Sequence, residues 1–221
     1  MKRITIAIDG PAGSGKSTTA RLVAQKLGYL YIDTGAMYRA VTLYWLRNCN
    51  TLDKNKICSM IEKINIEIHQ SEYGQRTILN GEDVSEQIRH PDVNKFVSPI
   101  SAFECVRNKL VDLQRELGKN GGVVLDGRDI GTVVFPNADL KIYLVASESA
   151  RAQRRALELK QKGIDVSIED IKKQLIERDK YDSSRSISPL KKADNAIELD
   201  TSDLSIEEQT NIVLNYANCL L

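Results

Sequence analysis

The sequence is poor in features that mark several large classes of protein. Aromatic residues make up only 5% of it, with a single tryptophan, and 31 basic residues are balanced by 30 acidic ones, so that the formal net charge is +1. Proteins that bind nucleic acid usually carry a basic track or a platform of stacking aromatic side chains. A nucleic-acid partner is therefore disfavoured.

Long hydrophobic runs are missing as well. No stretch approaches the roughly 20 apolar residues needed to span a bilayer. The apolar stretch between Met1 and Asp9 is too short for a signal peptide and leads into a glycine-rich loop. The sequence therefore predicts a cytoplasmic protein with no membrane partner.

Cysteine and histidine are too scattered to predict a metal cluster. The four cysteines, Cys49, Cys58, Cys105 and Cys219, form no C-x-x-C pair, and neither histidine lies near one of them in sequence. Cysteines in a cytoplasmic protein are expected to be reduced and to pack as small apolar side chains. A structural zinc site and a disulfide framework are both disfavoured.

Apolar periodicity and turn signals predict alternating strands and helices. Short apolar runs at 4–8, 29–32, 122–126, 140–145 and 196–200 predict strands of a parallel sheet, with helical segments between them. Right-handed crossovers then give a three-layer α/β fold, a doubly wound parallel sheet that binds ligands at the carboxyl ends of its strands.

One segment breaks this alternation. Residues 64–69 alternate in polarity, and residues 77–79 are followed by Asn80-Gly81, a favoured hairpin turn, which together predict a small antiparallel sheet. Ser167 and Ser205 begin capping-box patterns for two late helices. We predict a single domain, 1–221, that comprises a core (1–61, 96–150 and 186–221), an insert at about 62–95, and a helical lid and acceptor region at about 151–185.

The strongest motif follows the first predicted strand. Gly10 to Ser17 reads Gly-Pro-Ala-Gly-Ser-Gly-Lys-Ser and fits G-x-x-x-x-G-K-[ST] between a strand and a helix, the context that this phosphate loop (P-loop) requires. Backbone N–H groups of such a loop and the following helix N-terminus bind phosphate. The sequence therefore predicts a nucleoside triphosphate site in which Lys16 bridges the β- and γ-phosphates and Ser17 ligates Mg²⁺.

A P-loop does not by itself separate kinases from switches, motors or ATPases. Asn55-Lys56-Ile57-Cys58 lacks the carboxylate of the guanine-reading N-K-x-D motif, which weakens a GTPase interpretation. Arginines near strand ends and along the late helices favour phosphoryl transfer, because guanidinium groups neutralise two anionic substrates. A non-catalytic P-loop switch remains an alternative.

Three charged sets favour the kinase interpretation, although a solvated charged face is the ordinary alternative for each. The first, Arg151, Arg154 and Arg155, has helical spacing and predicts a lid over the ATP phosphates. The second, Arg178, Asp182 and Arg185, combines a sugar acceptor with phosphate donors. The third is Asp126-Gly-Arg-Asp129, at a strand end. Asp33 and Asp126 would either position metal-bound water or cap the next helix.

Four segments together resemble the bacterial cytidylate kinases, nucleoside monophosphate kinases of the P-loop class. They are Ile8-Asp-Gly-Pro-Ala-Gly-Ser-Gly-Lys-Ser17, Asp33-Thr-Gly-Ala-Met-Tyr-Arg39, Asp126-Gly-Arg-Asp-Ile-Gly-Thr132 and the Arg178-Asp-x-x-Asp182-x-x-Arg185 pattern. The resemblance spans nearly the whole chain. It implies a core, a monophosphate-binding insert and a lid, and transfer of the γ-phosphoryl group of ATP to CMP or dCMP with Mg²⁺ as cofactor.

The motif and the resemblance together imply the site residues. Those for ATP are Gly10, Pro11, Ala12, Gly13, Ser14, Gly15, Lys16, Ser17, Thr18 and Arg154, with Ser17 as the metal ligand. Those for the acceptor are Ser14, Thr34, Tyr38, Arg39, Ser98, Arg107, Asp129, Arg178, Asp182 and Arg185. Those for the transfer step are Lys16, Arg128, Arg155 and Arg185.

The implied base contacts make chemical sense. The cytosine amino group would donate to Asp129 and Ser98, and Arg107 would donate to N3 and O2. Uracil lacks that amino group and would leave a buried acceptor unpaired. ATP and CMP or dCMP are the expected partners of a monomeric enzyme, and a kinase for uridylate or a non-nucleotide metabolite is the alternative.

Overall fold

A parallel sheet lies at the centre of the computed structural model, which describes residues 3–49, 51–71, 74–161 and 163–221. In chain order the strands are β1 (Thr5–Asp9), β2 (Leu30–Asp33), β3 (Ile66–Ser71), β4 (Gly74–Leu79), β5 (Glu82–Asp83), β6 (Val123–Gly127), β7 (Leu140–Val145) and β8 (Ile197–Asp200). The main sheet has the order β2-β6-β1-β7-β8 with parallel pairing throughout. Strands β3, β4 and β5 form a separate antiparallel sheet.

Helices cover both faces of the main sheet. They are α1 (Lys16–Leu27), α2 (Thr34–Asn48), α3 (Lys54–Ile61), α4 (Pro91–Ser101), α5 (Glu104–Gly118), α6 (Glu148–Gln161), α7 (Ile168–Ser183) and α8 (Ile206–Asn218). Successive strand side chains point to opposite faces. Ile6 and Ile8 therefore pack with α1 and α8, whereas Ala7 packs with α2 and α5. The predicted three-layer α/β fold class is confirmed. No helix in the described ranges has the length and apolar character needed to cross a bilayer.

Local signals in the sequence set several element boundaries. Gly28 ends α1 with φ 65°, a left-handed conformation that glycine adopts without a steric penalty. The Ser167 side chain caps α7 by accepting from the Asp170 N–H, and Ser205 with Glu208 completes a capping box on α8. These predicted helix boundaries are confirmed.

The predicted antiparallel sheet is also confirmed. Asn80 and Gly81 have φ 49° and 85°, the positive values that a type I′ hairpin turn requires at both central residues. The end of the predicted insert is helical, because α4 begins at Pro91. Pro91 suits that position, since a first-turn residue needs no intrahelical N–H.

Two glutamines join this small sheet to the main one. Gln70 on β3 lies directly opposite Gln75 on β4. The Gln70 Nε2 donates to the Tyr31 carbonyl at 2.8 Å, and the Gln75 Oε1 accepts from the Asp33 N–H at 2.8 Å. Strand β2 is the edge strand of the main sheet. The two amides therefore take the hydrogen bonds that a neighbouring strand would make.

The expectation that all four cysteines are reduced is wrong. Cys58 on α3 and Cys105 on α5 form a disulfide with their Cα atoms 5.6 Å apart. The two residues are 47 positions apart in sequence, and their spacing alone does not indicate that α3 packs against α5. Cys49 and Cys219 are free.

Candidate active site

The P-loop joins β1 to α1 at the carboxyl edge of the main sheet. Gly10, Gly13 and Gly15 have φ values of 153°, 78° and 90°, so its backbone follows a path that side-chain-bearing residues rarely adopt. A Cβ on Gly10 would lie 2.2 Å from the Leu144 carbonyl oxygen, which excludes any other residue there. Thr18, predicted to bind ATP, lies in the first turn of α1.

Lys16 is buried inside this loop. Its Nζ donates to the Pro11 carbonyl at 3.1 Å, and only 7% of the residue is exposed. Burial, with the nearby Arg128 guanidinium, lowers the pKa of Lys16 to about 7. An anion bound next to the Lys16 ammonium would favour its charged form and raise this pKa.

Ser17 is paired with a carboxylate from the adjacent strand. Its Oγ donates to Asp126 Oδ2 at 2.6 Å, and the Tyr31 hydroxyl donates to Asp126 Oδ1 at 2.8 Å. Burial, with the Asp33 carboxylate nearby, raises the pKa of Asp126. Asp126 therefore lies beside the predicted metal ligand.

Asp33 has a different role. Its Oδ1 accepts from the Ala36 N–H at 2.8 Å and caps α2. Its Oδ2 accepts from Arg39 Nη2 at 2.9 Å, which fixes one end of a predicted phosphate-binding arginine. Of the two roles considered for strand-end carboxylates, helix capping describes Asp33 and proximity to the metal ligand describes Asp126.

The hydroxyl groups of Ser14 and Thr34 differ in their hydrogen bonds. Ser14 is fully buried, and its Oγ has no hydrogen-bond partner among the described residues. Thr34 donates its Oγ1 to the Asp126 carbonyl at 2.7 Å. The Ser14 hydroxyl is thus unpaired among the described residues, while the Thr34 hydroxyl is bonded to the end of β6.

Several residues predicted to bind the acceptor substrate contact Asp182. Ser98 Oγ donates to Asp182 Oδ1 at 3.1 Å, and Arg128 Nε donates to Oδ2 at 3.1 Å. Arg185 forms a second ion pair with the same carboxylate. Burial acts to raise the pKa of Asp182, but Arg128 and Arg185 lower it overall. One buried carboxylate therefore unites residues from α4, the β6 loop and the region after α7.

A third ion pair lies next to this cluster. Arg107, 2% exposed, pairs with Asp129 and is 5.2 Å from the centre of the Tyr38 ring. Arg107 Nη1 also donates to the Ser101 carbonyl at 3.2 Å, and Arg185 Nη2 donates to Ser101 Oγ at 2.9 Å. Ser101 therefore connects the pair to the Asp182 cluster.

Asp9 holds the segment that carries Asp129. Its two carboxylate oxygens accept from the Ile130 N–H at 2.9 Å and the Gly131 N–H at 2.7 Å, in the π-helical turn Ile130–Val134. Burial raises the pKa of Asp9 to about 7. Because Asp9 immediately precedes the P-loop, the same strand end positions both the loop and the Asp129 segment.

Three arginines of α6 have different hydrogen-bond partners. They are Arg151, Arg154 and Arg155. Arg151 donates to the Ala12 carbonyl at 3.1 Å in the P-loop. Arg154 donates at 3.1 Å to the Oγ1 of Thr201, which directly follows β8. Arg155 pairs with Glu158 at 2.7 Å on the surface. The three side chains therefore have different surroundings: Arg151 contacts the P-loop, Arg154 contacts the residue after β8, and Arg155 contacts its own helix.

Arg178, Asp182 and Arg185 lie close together although α7 ends before Arg185. Helix α7 stops at Ser183, so Arg185 lies beyond it, but Arg185 still reaches Asp182. Arg178 is half-buried, and burial together with Arg128 lowers its pKa to about 10. The three residues therefore form one charged group.

Sequence reasoning missed several residues of this region. Ser101 had a usable signal, since it lies one helical turn after Ser98 on α4. Asp179 belongs to the quoted pattern that begins at Arg178 but was given no role there, and it contacts the P-loop through the Ala12 N–H at 3.3 Å. Thr201 follows β8 and donates to the Ser14 carbonyl at 3.0 Å. No local pattern in the sequence marks it.

Comparison with known proteins identifies the family of this chain. The profile of one family, described as cytidylate kinase, matches residues 6–219. The chain belongs to the cytidylate kinase family. A curated cytidylate kinase from Bacillus cereus is 51% identical over 215 residues, covering 97% of this chain and 96% of the relative. One from Bacillus cytotoxicus is 52% identical over 208 residues, covering 94% and 92%.

Solved structures support the fold independently of sequence. An uncharacterized protein from Eubacterium ventriosum aligns with a TM-score of 0.53 at 13% identity, over 99% of both chains. A shikimate kinase from Bacteroides thetaiotaomicron aligns with a TM-score of 0.51 at 12% identity, over 98% of this chain and 99% of its own. The predicted resemblance to cytidylate kinases is confirmed by the family match.

Proposed function

We propose that this chain transfers the γ-phosphoryl group of ATP to CMP, and also to dCMP, giving ADP and the corresponding diphosphate. The observation that carries the proposal is the convergence of two sites at one sheet edge. The P-loop with its buried Lys16 faces a cluster of arginines around Asp182. Family membership supports the same reaction.

The transfer needs no nucleophilic side chain. A phosphate oxygen of CMP attacks the γ-phosphorus of ATP, and the bond to the departing ADP oxygen breaks in line with it. The protein contributes alignment and neutralisation of charge. Arg128 and Arg185, paired with Asp182, and Arg39, paired with Asp33, are the fixed cations for this task.

The oxygen donors near the P-loop fit Mg²⁺. Ser17 Oγ and the Asp126 carboxylate lie 2.6 Å apart. Mg²⁺ is commonly held by one or two protein oxygens while water and phosphate complete its shell. Ser17 would ligate the ion directly and Asp126 would hold one of its waters. The ion, when bound, neutralises charge on the transferring phosphates.

Base recognition is proposed to rest on Arg107, Asp129 and Ser98. Arg107 holds one oxygen of Asp129 through their ion pair, so a cytosine amino group could donate to the other. Arg178 and Asp182 would bind the sugar. Deoxyribose keeps one of the hydroxyl groups that Asp182 would accept from, and dCMP should therefore also be a substrate.

A panel of acceptors tests the reaction. ADP release from ATP should depend on CMP or dCMP and should be much slower with UMP, AMP, GMP and shikimate. Stimulation by UMP alone would favour a uridylate kinase. Tight retention of nucleotide without acceptor-dependent turnover would favour a P-loop switch.

Asp129 gives a specificity prediction. Asp129→Ala should lower the ratio of kcat/KM for CMP to that for UMP by about 10-fold or more, because it removes an acceptor that only cytosine satisfies. Asp129→Asn is the matched variant, since its amide can also donate to the uracil carbonyl and should raise activity on UMP. Competitive turnover with both nucleotides measures the ratio. An unchanged ratio in both variants would reject the base-reading role.

Lys16 gives a protonation prediction. With a pKa of about 7 it is mostly neutral at pH 8, and the bound triphosphate should raise that pKa. ATP binding at pH 8 should therefore take up about one proton, since phosphate monoesters are already ionised there. Calorimetry in buffers of different ionisation enthalpy measures the uptake. Lys16→Met should abolish it, and equal uptake by both proteins would contradict the assignment.

Other inferences from the sequence stay predictions. They include the division into core, insert and lid, the cytoplasmic location and the monomeric state. Arg154 and Arg155 also stay in this group, because in the structure they contact Thr201 and Glu158.

A further inference from the structure

The peptide groups on both sides of Ala12, near the tip of the P-loop, are held by the helical pair α6 and α7. The Ala12 N–H donates to Asp179 Oδ1 at 3.3 Å, and the Ala12 carbonyl accepts from Arg151 Nη1 at 3.1 Å. Arg151 and Asp179 are themselves an ion pair. The three residues form a closed ring of hydrogen bonds.

This ring is sheltered from water. Arg151 is 6% exposed, Ala12 is 7% exposed, and the Asp179 side chain is 18% exposed. Hydrogen bonds to charged groups are strong where water is excluded. The ring is therefore a firm attachment of the P-loop to both helices.

Apolar packing reinforces the attachment. Ala12 belongs to a small hydrophobic cluster with Ala152 on α6 and with Ile171 and Leu175 on α7. The side chain of one P-loop residue is thus part of the core that holds the two helices together. A shift of either helix must also move the tip of the loop, because a packed core transmits displacement.

Helix α7 reaches the acceptor cluster from the same stretch. Asp179 contacts the donor loop, and Asp182, three residues later, accepts from Ser98 and Arg128. Both carboxylates lie within the last two turns of α7. One rigid helix segment therefore contacts both halves of the two-substrate site.

We propose that Asp179 is a positioning residue that couples the two substrate sites. Acceptor binding at Asp182 fixes the position of α7. Asp179 on the same helix then holds the Ala12 peptide so that the P-loop N–H groups face the triphosphate. Arg151 neutralises Asp179, which would otherwise repel the phosphates. This inference rests on the proposed phosphoryl transfer and goes beyond it by assigning the link between the sites.

Calorimetry with a non-hydrolysable Mg·ATP analogue, with and without CMP, tests the coupling. In the wild-type protein saturating CMP should tighten analogue binding by about 5-fold or more. Asp179→Ala should reduce this factor to near one and lower kcat by about 10-fold, while the Kd for CMP alone changes little. Asp179→Asn keeps an acceptor for the Ala12 N–H but cannot pair with the charge of Arg151, and should reduce the factor partly.

Glu177→Ala is the matched control, because it removes an exposed carboxylate from the same helix. It should leave the coupling factor and kcat unchanged. A wild-type factor retained in Asp179→Ala would overturn the inference while leaving the proposed reaction intact. If that variant does not fold, a wild-type factor in Asp179→Asn would overturn it. Failure of the wild-type protein to bind CMP would overturn the proposed function and the coupling with it.

Discussion

Lys16→Met is expected to lower kcat by at least about 10²- to 10³-fold, the loss that follows removal of one preorganised charge-stabilising donor. Lys16 lies within the P-loop, with its Nζ 3.1 Å from the Pro11 carbonyl. Methionine has a similar length and packs in the same space but offers no charge to the transferring phosphoryl group. Steady-state ADP release with saturating CMP measures the effect.

The same substitution should not weaken the fold at pH 7. The folded pKa of Lys16, about 7, is below its ordinary value of 10.5, so protonation of Lys16 favours the unfolded chain. The resulting loss of folding free energy is complete below pH 7 and decreases as the pH rises from 7 towards 10.5. Methionine removes this loss. Thermal unfolding at pH 7 should give a Tm no lower than that of the wild-type protein. A normal kcat in a folded Lys16→Met protein would reject the P-loop assignment.

Of the substitutions considered, Asp182→Ala is expected to lower the stability of the fold most. The carboxylate is buried and pairs with Arg128 and Arg185, so its removal leaves two guanidinium groups close to each other and to Arg178. Removing one partner from a buried ionic cluster costs about 3–5 kcal/mol. For a chain of this size the Tm should fall by roughly 10 °C. The kcat/KM for CMP should also fall about 10²-fold, since a charged hydrogen-bond acceptor is lost.

Asp182→Asn separates charge from shape. It retains an acceptor for Ser98 but not the negative charge, and should have an intermediate Tm. The folded pKa of Asp182 is below its ordinary 3.8, so its contribution is complete above that value and is lost as pH falls through the folded pKa. The Tm difference between wild type and Asp182→Asn should therefore shrink on acidification. A constant difference would contradict the ionic explanation.

Much of the fold could be predicted because its signals are local. The cap at Ser167, the glycine at position 28 and the Asn80-Gly81 turn each depend on residues within a few positions of one another. Parallel strands were recognisable as short apolar runs, since both of their faces are buried. The P-loop was predicted for the same reason, as its residues are contiguous.

Contacts between distant segments could not be predicted in this way. Helical spacing put Arg151, Arg154 and Arg155 on one side of α6, but the partners of Arg151 and Arg154 depend on how α6 packs against the P-loop and the end of β8. The Cys58–Cys105 disulfide depends on the packing of α3 against α5. For the acceptor cluster, family resemblance supplied the members and the structure supplied their contacts.

The pairing of Gln70 and Gln75 with β2 has a consequence for the behaviour of the protein at high concentration. Edge strands with free N–H and carbonyl groups can recruit strands from other molecules. The two amides occupy the Tyr31 carbonyl and the Asp33 N–H, so a foreign strand would have to displace the small sheet before it could add to β2. The small antiparallel sheet therefore also hinders strand addition at the β2 edge of the main sheet.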